Sequence, residues 1–224
     1  MKIGIIGAGH IGGTLTRRLT ALGHEVSVAN SRDPKTLSKL AEETGAKAVW
    51  ATEAPRDADL VVIAIPLRGV PNLPDNLFAG ARDDLVVVDT GNYYPQRDGR
   101  IAEIEEGLTE SRWVERQIGR PVVKAFNTIY ARHLLERGKP KGSEGRIAIP
   151  VAGDDEAAKA VVMRLIDELG FDPVDAGGLD ESWRQQPGTP VYGKDLNAED
   201  TRRALAEARS ERPPEFRAGG ATAW

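Results

Sequence analysis

Cysteine is absent from the 224 residues. That excludes disulfides, thiolate nucleophiles and Cys-ligated zinc or iron–sulfur centres. Histidine is nearly absent too: His10, His24 and His133 are too scattered to give metal-ligand spacing, so no metal is expected. Aromatic residues make up 5% of the chain. No apolar run is long enough to cross a bilayer, which predicts no membrane partner. Met1-Lys2 enters the first apolar segment at once, leaving no room for a signal peptide, and a cytoplasmic protein is expected. Positive charge is not in excess. Thirty Lys and Arg against 34 Asp and Glu leave a net charge of −4, which argues against nucleic acid as a partner. Internal repeats and low-complexity segments are also missing.

What is present describes an ordered, core-forming chain, with 40% hydrophobic and 29% charged residues. Apolar strands alternate with amphipathic helices, the pattern of an α/β, doubly wound parallel sheet. Strands are expected at 2–6, 25–29, 46–49, 60–65, 84–89 and 121–126, and helices over 10–22, 34–44, 101–117 and 156–169. Residues 1–128 read as a nucleotide-binding domain. Residues 129–224 read as a smaller C-terminal α/β extension that completes a substrate pocket and makes dimer contacts.

Gly7-Ala8-Gly9-His10-Ile11-Gly12 carries the most information. It follows a strand and opens a helix with Ile11, Leu15, Leu19 and Leu22 on one face, which is the context of a dinucleotide-binding fingerprint. Gly7 permits the turn, Gly9 lets a pyrophosphate reach backbone, and Gly12 lets helix and strand pack closely. The second strand ends in Asn30-Ser31-Arg32, where an NAD-specific site places a carboxylate for the ribose hydroxyls. An amide, a hydroxyl and a guanidinium suit a 2′-phosphate instead, with Lys35 assisting, so NADP(H) is the expected cofactor. Ser31 or Asp33 can also cap the helix beginning at Pro34, and capping and phosphate binding can coexist.

Ligands of open α/β sheets bind beyond the carboxyl ends of the strands. Those ends also present Ile65, Pro66 and Leu67, then Thr90, Gly91 and Asn92, then Asn127 and Thr128. Thr90 and Asn127 are the candidates for the reacting end. Tyr93, Tyr94, Tyr130, Trp183 and Tyr192 are candidates for stacking on a flat ring, or are ordinary core and rim aromatics; Tyr93, Tyr94 and Tyr130 are also candidate proton donors. Selectivity is expected from the 177–195 stretch, including Arg184, Gln185 and Gln186. The charged run 103–116 reads as a solvated helix face, and 212–224 as mobile unless docked, with Trp224 a candidate contact to a second subunit.

Val122-Val-Lys-Ala-Phe-Asn-Thr128, with the glycine fingerprint and Asn30-Ser31-Arg32, resembles the short NADP oxidoreductases related to deazaflavin (coenzyme F-420)-dependent NADP reductases. Ile149-Pro-Val-Ala-Gly-Asp-Asp155 and Pro173-Val-Asp-Ala-Gly177 extend the likeness to about residue 178. The resemblance implies a Rossmann domain and a homodimer. It also implies hydride exchange between NADP(H) and a deazaflavin, by positioning alone. It places Gly7, Gly9, His10 and Ile11 on the diphosphate and Ser31 with Arg32 on the 2′-phosphate. Ile65, Pro66, Thr90 and Asn127 would border ribose and nicotinamide. Archaeal deazaflavin reductases tend to carry Leu-His-Thr where this chain has Phe126-Asn127-Thr128. That version looks like the oxidoreductase domain of the six-transmembrane epithelial metalloreductases, which pass electrons through flavin, so FMN or FAD is an alternative small-molecule acceptor. Two other readings stand beside it: a non-catalytic NADPH-binding redox sensor, and an NADPH-dependent reductase of a small imine or carbonyl compound.

Overall fold

The computed structural model describes residues 1–219. In chain order, β1 (Lys2–Ile6) leads into α1 (His10–Ala21) and β2 (Glu25–Ala29) into α2 (Ser38–Thr44). Then come β3 (Lys47–Ala48), β4 (Leu60–Ile63) and β5 (Val86–Asp89). The short helices α3 (Pro95–Asp98) and α4 (Ala102–Glu105) precede α5 (Glu110–Ile118) and β6 (Val123–Lys124). The remainder is α6 (Ala131–Glu136), β7 (Ala148–Val151), α7 (Glu156–Glu168), β8 (Asp172–Asp175) and α8 (Ala198–Glu207). No helix among the described residues is long and apolar enough to cross a membrane.

β1 to β6 form one parallel sheet in the order β3-β2-β1-β4-β5-β6, so the chain reverses direction across the sheet between β1 and β4. This is the dinucleotide-binding order, and its crevice lies at that reversal. The register brings the carboxyl ends together. Ile6 pairs with both Ala29 and Ile63, Ile63 with Asp89, and Asp89 with Lys124. Five loops therefore leave the sheet along one edge.

The strands alternate sides strictly. Leu60 and Val62 pack into the core on one face with Leu15, Leu19 and α7's Leu165, while Val61 and Ile63 join Trp113 and Leu67 on the other. A sheet covered on both faces needs strands that are apolar at every position, which is why 60–63 reads LVVI. β7 and β8 form a separate parallel pair, tied to β6 by an antiparallel bridge between Lys124 and Ala152.

Several expectations shift. The strand expected over 60–65 ends at Ile63, releasing Ala64 and Ile65 into the crevice wall. Pro34–Leu37 is a 3-10 turn before α2, and Gly107, at φ +110°, divides the 101–117 segment into α4 and α5. The run 103–116 is not a solvated face: Glu110, Ser111, Trp113 and Val114 are buried. Nor is the described tail loose. Arg212 bonds the buried Glu110 at 2.9 Å, Gln96 donates to the Glu215 carbonyl at 3.0 Å, and Glu105 accepts the Ala218 amide at 2.9 Å. Trp224 lies outside the described residues.

Candidate functional site: a dinucleotide cleft

Three glycines shape the turn between β1 and α1. A Cβ on Gly7 would lie 2.3 Å from the Ala64 carbonyl, and one on Gly12 only 1.8 Å from the Gly7 carbonyl. Gly7 also sits at φ +106°, the left-handed region that favours glycine. Gly9 differs, because nothing lies within 4 Å of where its Cβ would be. It is the N-cap of α1 and offers no side-chain acceptor, so the leading amides at His10 and Ile11 face open space at the positive end of the helix. That is a cradle for a diphosphate.

At the end of β2, Asn30 works on its own turn. Its Oδ1 accepts from the Arg32 amide at 2.8 Å, and its Nδ2 donates to Thr36 Oγ1 at 3.0 Å. Asp33 caps the 3-10 turn, its Oδ1 accepting from the Lys35 amide at 2.8 Å. Ser31 and Arg32 stay exposed and line a 540 Å³ cleft with Ala8, Gly9, Arg17 and Lys39. The cations there are Arg17, Arg32 and Lys39, and Lys35 is not part of the lining. Arg17 is held by Glu43 through bonds of 2.6 and 2.7 Å, which keep its guanidinium even more firmly protonated.

A second cleft of 580 Å³ adjoins the first, and Asn30 and Ser31 line both. Gly7, Ile65 and Pro66 line it together with Trp50, Thr52 and Arg68. Trp50 is 53% exposed, an unusual state for so large an apolar surface. The sequence reading missed Trp50, Arg68, Arg17 and Lys39. A tryptophan just beyond the carboxyl end of β3 was the available signal.

The region beyond β5 and β6, expected to border a nicotinamide, is more tightly built than expected. Leu67 is fully buried, and a Cβ on Gly91 would meet it at 2.6 Å, so both form the inner layer of the wall rather than its surface. The Gly91 amide donates to Asp89 Oδ1 at 2.8 Å. Asp89 also pairs with the fully buried Lys124 at 3.1 Å and accepts from Ser111 at 2.7 Å; Lys124 in turn donates to the Gly91 carbonyl. Thr90 is buried with its hydroxyl 3.2 Å from the Ile63 carbonyl. Phe126, fully buried at φ +62°, turns the chain sharply out of β6.

That turn delivers Asn127 to Asn92. Asn127 Nδ2 donates to Asn92 Oδ1 at 3.0 Å and to the Gln185 carbonyl at 2.7 Å, while its Oδ1 accepts from Gln185 Nε2 at 2.9 Å. Both amide hydrogens are spent, so Asn127 braces the wall and has none left to donate to a reacting atom. Gln185, from the stretch expected to set selectivity, is its partner in that brace.

The aromatics are largely occupied. Tyr93 is a core residue whose phenol donates to Glu105 at 2.8 Å, and burial pushes its pKa up to about 12. Tyr94 lies between the Arg97 guanidinium, 5.0 Å from its ring centre, and Phe216 at 6.2 Å. Arg184 covers Trp183 at 4.4 Å. The Tyr94 hydroxyl touches that of Tyr192, which lies 3.5 Å from Asn92 Nδ2. Tyr130 is exposed, with its ring edge on His133.

The strand order, the glycine cradle and the paired clefts define a Rossmann-type dinucleotide-binding protein. A family model described as NADP oxidoreductase coenzyme F420-dependent matches residues 2–93. The solved structure of SMa0349 from Sinorhizobium meliloti is 32% identical, with a TM-score of 0.76 over 88% of this chain and 95% of that one. A structure from Arthrobacter described as an F420-dependent NADP-reductase is 28% identical, with a TM-score of 0.66 over 80% and 85%. The rat metalloreductase STEAP3 is 29% identical over 181 residues, 80% of this chain. The chain spans 34% of STEAP3 and 51% of YjhV from Escherichia coli, two of the curated relatives it matches. It belongs to the family of coenzyme F420-dependent NADP oxidoreductases.

Proposed function

We propose that the protein is an NADPH-dependent oxidoreductase that passes a hydride to a planar deazaflavin or flavin acceptor. The observation that supports this most is the continuity of the two clefts. They share Asn30 and Ser31, begin at the open face of Gly9, and hold Arg32 where a ribose 2′-phosphate would come. The residues fit the cofactor: backbone amides for the diphosphate, Arg32, Ser31 and Lys39 for the 2′-phosphate, Pro66 and Trp50 for the adenosine. When bound, the reduced nicotinamide supplies a hydride from its C4 carbon.

The chain's part is to orient the ring and exclude water. Transfer between two rings needs their carbons close and face to face, and it needs no nucleophile. Thr90, Asn92 and Asn127, braced by Gln185 and the buried Lys124–Asp89 pair, make a stiff polar wall suited to fixing one ring against another. The test is NADPH oxidation by purified protein with the deazaflavin, FMN, FAD and no acceptor side by side. Turnover with the deazaflavin or a flavin is the expected result. Tight NADPH binding without oxidation by any of them would overturn this reading and favour a redox sensor.

A further inference from the structure

Tyr94 and Tyr192 come from segments 98 residues apart, yet their hydroxyls meet beside Asn92. Asn92 is itself fixed by Asn127, its Nδ2 donating to the Asn127 carbonyl at 3.0 Å. The pair therefore stands beside the polar wall formed by Asn92 and Asn127. Both phenols are only partly buried, so each can reach a ligand.

Hydrogen-bond accounting makes the pair informative. Two phenols carry two hydrogens. One is used between them. The Tyr192 oxygen also faces the Asn92 amide, which can only donate. Whichever phenol donates to the other, one hydroxyl hydrogen has no acceptor among the described residues. The rings cannot serve equally well as stacking platforms, because Tyr94 already lies between Arg97 and Phe216.

We propose that the Tyr94–Tyr192 pair is the proton donor to the redox acceptor, with Tyr192 the catalytic residue and Tyr94 its positioning partner. This rests on the oxidoreductase reading above and narrows its substrate class. The acceptor takes a hydride at its central ring atom, the C5 carbon of a deazaflavin or the N5 nitrogen of a flavin, and a proton at a conjugated nitrogen or oxygen. In the step, the C4–H bond of the reduced nicotinamide breaks and both its electrons go to that acceptor atom. The acceptor's heteroatom then takes the phenolic proton, and the phenolate left behind is reprotonated by water. The sum is one NADPH, one acceptor and one proton giving NADP and the dihydro-acceptor. Burial and the neighbouring Tyr94 push the Tyr192 phenol well above its ordinary range, with Glu110 and Tyr130 adding to the effect, so it holds its proton at neutral pH and gives it up only as hydride transfer builds negative charge on the acceptor heteroatom.

The experiment compares Tyr192→Phe and Tyr94→Phe with the native protein in two assays. The first follows NADPH oxidation with whichever of the deazaflavin or FMN turns over, in H₂O and D₂O. Tyr192→Phe is expected to lower kcat about tenfold or more while NADPH affinity, read from its fluorescence, stays within twofold. The solvent isotope effect on kcat should change in the variant. Tyr94→Phe should give a smaller loss. The second assay titrates the deazaflavin or FMN into the protein–NADP complex without turnover, where Tyr192→Phe is expected to bind about fivefold more weakly. Native kcat and native acceptor affinity in Tyr192→Phe would overturn the proton-donor assignment and leave the oxidoreductase reading intact. No binding and no turnover with any acceptor, in native protein, would overturn both.

Discussion

Arg32 and Gly9 are the residues on which cofactor choice and cofactor access depend, and they can be tested separately. Arg32 is exposed at the cleft and structurally idle, since only its backbone amide serves the turn. Arg32→Ala should therefore weaken NADPH by about 1–3 kcal/mol, the range for a charge-assisted bond, and leave NADH unchanged. Equal losses for both, in a fluorescence titration, would remove Arg32 from the phosphate site. Gly9 has an ordinary φ of −75° and an open Cβ position, whereas a Cβ at Gly12 would sit 1.8 Å from a carbonyl. Gly9→Ala should change folding stability by less than about 0.5 kcal/mol, as a surface substitution does. It should still cost about 1.4 kcal/mol, or tenfold, in NADPH affinity by crowding the diphosphate. Gly12→Ala should destabilise the fold itself by about 1–3 kcal/mol or more through overpacking. Thermal melts beside binding titrations separate the two glycines; loss of stability in Gly9→Ala would mean its open face is not a ligand face.

Between elements, the critical joint is the one that fixes β5 to β6. Lys124 and Asp89 are both almost wholly buried, and Ser111 on α5 completes their bonding. Removing one partner strands the other charge away from water. Lys124→Met should cost about 3–5 kcal/mol in urea unfolding, while the neutral double variant Asp89→Asn/Lys124→Met should recover most of that. A single variant as stable as the double would show that water reaches the site. This joint also shows how far the sequence could be read. The glycine turn was legible because its sterics are local: spacing and strand context suffice. The parallel order was legible from apolar runs with no polar face. The Asn127–Gln185 brace spans 58 positions and the Arg212–Glu110 pair 102, and no local pattern announces either. For the same reason Glu110 reads as solvated from its neighbours in sequence, although burial raises its carboxyl well above the ordinary range. Trp50 directly follows the strand expected over 46–49, but a short strand at the sheet edge gives no local sign that the loop beyond it lines the cleft.

At the scale of the molecule, the small β7–β8 unit shares a hydrophobic core with the large sheet, and two aspartates, one bridging from that unit to α5 and one bonded within it, make the fold sensitive to acid. Asp154 accepts from the Leu179 amide and from Arg112 on α5, both at 2.8 Å. Asp167 pairs with the buried Arg146, which also bonds Asp172. The Leu179 amide and the Arg112 guanidinium hold Asp154 below the usual carboxylate value, and Arg146 does the same for Asp167. A group whose folded pKa is depressed stabilises the fold above its unfolded value, near 4, and loses that contribution as pH falls through the folded value. Stability from these two should be fully present at pH 6 and drop away below about pH 4. Glu110 works in the opposite direction, since its raised pKa means that protonation favours the folded state. The acid loss should therefore be carried by Asp154 and Asp167 and not by the buried tail anchor. Melting temperatures between pH 7 and pH 3 should show a plateau and then a fall, with the fall shallower in Asp154→Asn because that variant has less to lose. A melting temperature that stays level to pH 3, or an Asp154→Asn profile parallel to the native one, would show that these ion pairs do not carry the acid sensitivity.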